Sequence, residues 1–224
     1  MRIVPFAAAI LVAVSTVAAP SVAQDARGRY LAQCRADTLA QYPEAAAWVD
    51  DNCAEGWTAV VRSNPLVDIL LSPFAADAPA PASAAELQRR ATLVRWGGSG
   101  AQGLTGRFGE VDVQIPADSP LRLVVGWGAT GQPIPYDVVG ALKTRGATVE
   151  LIGCYDYGAS ESNSVYRVAA PDRAPFALTV YRREAPTASA ESFLTLTVAP
   201  DRAIPTLAAL RRAEPDSEWK TQCA

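Results

Sequence analysis

Four cysteines, Cys34, Cys53, Cys154 and Cys223, in a chain without histidine constrain this sequence more than any other feature of it. What they mean depends on the compartment, and the N-terminus indicates which. Arg2 precedes an apolar run from Ile3 to Val17, followed by Pro20 and the small residues Ser21-Val22-Ala23. A short positive start, an apolar stretch and a small-residue cleavage site make the pattern of a secretory signal peptide. The run is shorter than the roughly 20 apolar residues that cross a bilayer. Residues 1–23 are therefore expected to be removed, leaving a periplasmic or secreted chain that begins near Gln24, with no membrane span.

In an oxidising compartment an even number of cysteines reads as disulfides. Of the three connectivities, Cys34–Cys53 with Cys154–Cys223 keeps each bridge within one segment of the chain. Loops of these lengths would each stabilise the fold by about 3 to 4 kcal/mol in the chain-entropy account. A zinc site is the competing reading, but the spacings are wide and contain no Cys-x-x-Cys. No metal and no cofactor are expected.

The missing histidine also narrows the chemistry. It removes Ser-His-Asp and Cys-His nucleophilic catalysis and histidine bases, and bridged cysteines would remove thiol catalysis. Ser217-Glu218-Trp219-Lys220 matches a serine–lysine pattern. It follows Pro215 at the chain end, lacks the companion motifs and is discarded. Carboxylate pairs carry no motif. Glu110 with Asp112 on a strand, and Asp156 with Glu161 around a loop, are the candidates, against the plainer reading of solvated acids. An enzyme is thus the less expected outcome.

Half the residues are hydrophobic and 19% are charged, enough apolar content for a packed core. A formal charge of −3 gives no footprint for nucleic acid.

The order of elements points to an α+β fold. Asp25 to Gln41 reads as a helix, and a second begins at Pro43, carrying Val49, Cys53, Trp57 and Val60 on one face. Residues 24–73 are expected to form a disulfide-tied helical hairpin that breaks at Ser63-Asn64-Pro65, with one or two further turns over Leu66 to Leu71. An Ala/Pro-rich linker over 74–85 and a short helix from Ala84 to about Leu93 follow. Residues 86–224 then read as β-β-α-β-β-β-β-α with a mostly antiparallel sheet. The strands are Val111–Ile115, Leu121–Trp127, Thr148–Ile152, Val165–Ala169, Phe176–Arg182 and Phe193–Val198, and the helices are Pro135–Arg145 and Pro205–Ala213. The segments Val111–Cys154 and Phe176–Cys223 share two strands, an Ile-Pro, a helix and a cysteine, which raises the idea of a ββα duplication joined by the second disulfide.

The candidate ligand-binding residues are Trp96, Trp127, Tyr155 and Tyr157, each beside a Gly- or Ser-rich stretch read as a loop. Aromatic rings stack on sugars without needing charge, and Arg95 and Arg107 would add hydrogen bonds to an anionic or hydroxylated ligand. The plainer reading makes the tryptophans core anchors. The function expected on these grounds is a non-catalytic exported protein that binds an envelope glycan or protein. A carboxylate-dependent hydrolase of envelope polysaccharide, or an adaptor docking through the helical hairpin, is the alternative.

Overall fold

The computed structural model describes residues 22–75, 79–158 and 160–223. Most of the expected signal peptide, and residues 76–78 of the expected linker, lie outside them. The fold is α+β, and among the described residues no helix is long and apolar enough to cross a membrane.

Helix α1 (Val22–Gln41) and helix α2 (Val49–Leu71) are joined through a short 3-10 helix at Pro43–Ala47. Cys34 and Cys53 are bridged, as the spacing implied, with Cα atoms 5.9 Å apart. Around the bridge Ala45, Val49 and Cys53 are buried against Leu31 and Leu39, a small core at the outer end of the hairpin. The expected break at Ser63-Asn64-Pro65 does not occur, and α2 runs through Pro65. Proline removes one donor, which would have served the carbonyl four residues earlier. That residue, Val61, is exposed, where water can replace the lost bond. Arg145 also grips this turn, reaching Asn64 Oδ1 at 3.0 Å and Asp68 Oδ1 at 2.6 Å. The inner half of α2 then enters the main core through Val60, Leu66, Val67, Ile69 and Leu70.

After helix α3 (Ala84–Arg90) come four strands, β1 (Arg95–Gly100), β2 (Gly103–Phe108), β3 (Val111–Pro116) and β4 (Leu123–Thr130). Helix α4 (Val138–Thr144) leads to β5 (Thr148–Asp156), β6 (Glu161–Ala169), β7 (Phe176–Arg183) and β8 (Glu191–Pro200), and helix α5 (Leu207–Ala213) follows. All eight strands form one antiparallel sheet in the order β1-β2-β3-β4-β8-β7-β6-β5. The sequence reading lacked β1 and β2. The run Trp96-Gly97-Gly98-Ser99-Gly100, read as a loop, is an edge strand with a bulge between Trp96 and Ser99. Its hairpin closes at Gly103, whose φ of +108° only glycine adopts without strain, and Gly106 lets the Trp96 ring lie on the neighbouring strand.

The strand order has an internal symmetry. Two four-stranded meanders, each entered from a short helix, meet edge to edge along β4 and β8. The repeat visible in the topology is therefore helix plus four strands, not the ββα unit. The Cys154–Cys223 bridge does not join the two halves; it ties the C-terminal tail to the outer strand of the second.

One face of the sheet is apolar. Val113, Val125, Leu196 and Val180 stand side by side on it and are buried with α2, α3 and α4 residues in one cluster. Among the described residues the opposite face is covered at its β5–β6 end, where Leu207 and Leu210 of α5 pack with Tyr155, Val165 and Trp219. The tail adds two backbone hydrogen bonds between Cys154 and Lys220, of 3.0 and 2.7 Å.

Candidate functional site

The structure separates the four residues singled out from the sequence. Trp96 lies on the helix-covered face at the β1 edge and donates its ring N–H to the Gln88 carbonyl of α3 at 3.1 Å. Trp127 is a buried core residue, edge-on to Tyr136 with ring centroids 5.9 Å apart. Tyr155 and Tyr157 are together at the opposite sheet edge, on and just after β5. With β1 and β5 at opposite ends of the sheet, no single site joins Trp96 to the tyrosines. All four sit on or next to strands, so the stretches read as loops are largely strand.

What the pairing register brings together is a row. Reading partner to partner, Arg95, Arg107, Asp112, Gly126, Thr195, Tyr181, Asn163 and Tyr155 line up across all eight strands. None is aliphatic. At about 4.8 Å per strand the row spans about 34 Å. Its side chains point away from the apolar core, because successive residues of a strand alternate between faces. Beside it runs a second row of Thr105, Gln114, Val124, Thr197 and Thr179. The period-two signal was present in Phe193-Leu194-Thr195-Leu196-Thr197, but the alignment of strands distant in sequence was not.

At the β5 end the row becomes an aromatic and polar cluster. Tyr155 accepts hydrogen bonds from the Tyr157 hydroxyl at 3.0 Å and the Asn163 amide at 3.3 Å. Its ring stands edge-on between Tyr157 and Trp219, at 4.6 and 4.5 Å. Burial, and then the bond from Tyr157, push the Tyr155 hydroxyl up to about 12. Tyr181 donates to Glu161 Oε1 at 2.9 Å, and burial followed by that bond raises its pKa too. Among the described residues Asn163 Oδ1 is buried without a hydrogen-bond partner. Tyr157 is 52% exposed and presents its ring to solvent beside this group. Beside the β1–β2 and β3–β4 connections, at one end of the strands, a hollow of about 510 Å³ opens among Gln102, Gln114, Ser119, Arg122 and Thr197.

A second opening, about 600 Å³, lies between α1 and α4. Arg29 and Lys143 on its walls are matched by Asp37 and Asp137, so no net charge gathers there. The uncovered sheet face can therefore do what the cleft cannot: offer hydroxyls, amides and an exposed ring in a line, with cations at one end.

Fold and face together define a two-layer α+β protein, helices over one side of an eight-stranded antiparallel sheet and a polar surface on the other. Neither a protein-family model, nor a curated protein, nor a solved structure matches the chain.

Proposed function

We propose that this is an exported, non-catalytic protein that binds an envelope glycan on the uncovered face of its sheet. The observation that carries the reading is the eight-position row without an aliphatic side chain, ending at Tyr155 beside the exposed Tyr157. A saccharide is recognised by hydroxyl and amide groups along its edges and by an aromatic ring under its C–H face. Thr195, Tyr181 and Asn163 supply the first and Tyr157 the second. Replacing Tyr157 by Ala and Thr195 by Val should lower retention of the mature protein on insoluble envelope glycan about tenfold, the loss of roughly one good contact. The same protein should keep its stability. Retention equal to that of the unaltered protein would refute the assignment.

A second reading has its own observation. Tyr42 and Trp48 at the hairpin turn are 46% and 42% exposed, which favours docking on a protein through that tip. Changing both to Ser should then abolish recovery of a partner from envelope extracts without altering glycan retention.

A further inference from the structure

We infer that the β1–β2 end of the polar row recognises an acidic sugar, a ring bearing a carboxylate or a phosphate; this rests on the glycan-binding reading above. Arg95 and Arg107 are direct cross-strand partners there. In such pairs the Cβ atoms stand about 5 Å apart, and like charges directly opposite are unfavourable. Two abreast are unexpected in a chain whose formal charge is −3. One acid answers them: Asp112, the next position in the row, meets Arg107 Nε at 3.0 Å. Among the described residues Arg107 has no second ion pair and Arg95 has none. A hollow of about 650 Å³ at this end of the hairpin is lined by Arg95 and Arg107 together with the apolar Leu93, Trp96 and Phe108. Trp96 is held in place by its bond to Gln88, so this wall is preformed.

The combination selects a ligand. A guanidinium fork matches the two oxygens of a carboxylate or phosphate and forms charge-assisted bonds with them. An apolar wall takes the C–H face of a ring. A neutral sugar would satisfy the wall and leave the arginines repelling each other, whereas an acidic one satisfies both. The site lies in the same row as Thr195 and Tyr181, so an extended glycan could present its acid here and its hydroxyls further along.

The test compares three probes on the mature protein by calorimetry: a galacturonate oligomer, a galactose oligomer of equal length, and that galactose oligomer phosphorylated at its 6-hydroxyls. At least one acidic oligomer should bind about tenfold or more tightly than the neutral one, an advantage that shrinks in salt above about 0.5 M. R95Q/R107Q should erase the advantage, bringing the acidic and neutral affinities together, without lowering the melting temperature. Equal binding of acidic and neutral oligomers, or an advantage that survives R95Q/R107Q, overturns the inference and leaves glycan binding standing. Binding of none of the three also overturns it, and the Tyr157 retention experiment then decides separately whether the glycan reading falls with it.

Discussion

Tyr155 and Tyr157 are two residues apart on one strand end and differ tenfold in exposure, 5% against 52%. Removing a large buried ring costs about 3 to 5 kcal/mol, whereas a half-exposed surface ring contributes little. Tyr155→Ala should therefore lower the urea midpoint strongly, and Tyr157→Ala should leave it nearly unchanged. Equal losses would mean that Tyr157 belongs to the core and is no ligand platform. The hydroxyls give a second check. The folded pKa of Tyr155 is near 12 and those of Tyr181 and Tyr136 are also raised, so the folded state favours the neutral phenols. A pKa raised above its unfolded value contributes stability that is complete below about pH 10 and is lost as pH climbs through the folded value. Stability should then fall between about pH 10 and 12, in step with phenolate absorbance, and the Tyr155→Ala protein should show a smaller fall. The aromatic cluster was half legible from sequence. Cys154-Tyr155-Asp156-Tyr157 announces rings near a bridge, but Trp219, which buries one of them, comes from the far end of the chain.

At the scale of elements, the disulfides and the strands were legible to different degrees. The cysteine pairing followed from segment membership alone, since each bridge closes within its own unit. The first loop spans a sequence separation of 19 and the second 69. Loop-closure entropy grows with length, so losing the first should cost about 3 kcal/mol and the second about 4. C154S/C223S should do more than this. The tail would be freed from the β5 edge, and solvent would reach Trp219, shifting its emission to longer wavelength. C34S/C53S should leave that emission unmoved. If both double variants shift it alike, the bridge is not what holds the tail. The strands β1 and β2 were missed for a physical reason. Trp96-Gly97-Gly98-Ser99-Gly100 has no alternating apolar residues, because an edge strand exposed at every position but Trp96 needs none. Its extended form comes from pairing with β2, a contact that local propensity does not encode. The same limit explains Pro65: a proline reads as a stop unless one knows that the carbonyl it strands faces water.

For the whole molecule, the question is whether the helical hairpin and the sheet unfold separately, as a two-part reading with a linker would have it. The contacts argue for one unit. Val60, Leu66, Val67, Ile69 and Leu70 of α2 are buried in the same cluster as Val113, Leu123, Leu178 and Leu196 of the sheet. The chain leaving α2 is pinned as well. Phe74 is fully buried and stacks on Phe176 at the start of β7, ring centroids 4.7 Å apart. Its carbonyl accepts the Ala174 amide at 2.9 Å, and Ala75 bridges Arg173. Further along, Arg90 donates to the carbonyls of Pro73 and Pro79 at 2.9 and 2.8 Å, closing residues around the expected linker onto α3. A hairpin held by these contacts cannot leave without exposing the centre of the sheet's apolar face. Unfolding should therefore be a single transition, with far-ultraviolet circular dichroism and tryptophan fluorescence coinciding. Phe74→Ala sharpens the test, because it removes the hinge-side ring while touching neither disulfide. It should cost about 3 to 5 kcal/mol and lower the midpoint of that one transition without splitting it. If helix signal and tryptophan signal separate in the unaltered protein, the hairpin is an independent module. If they separate only in Phe74→Ala, then the Phe74–Phe176 stack is what couples the two layers.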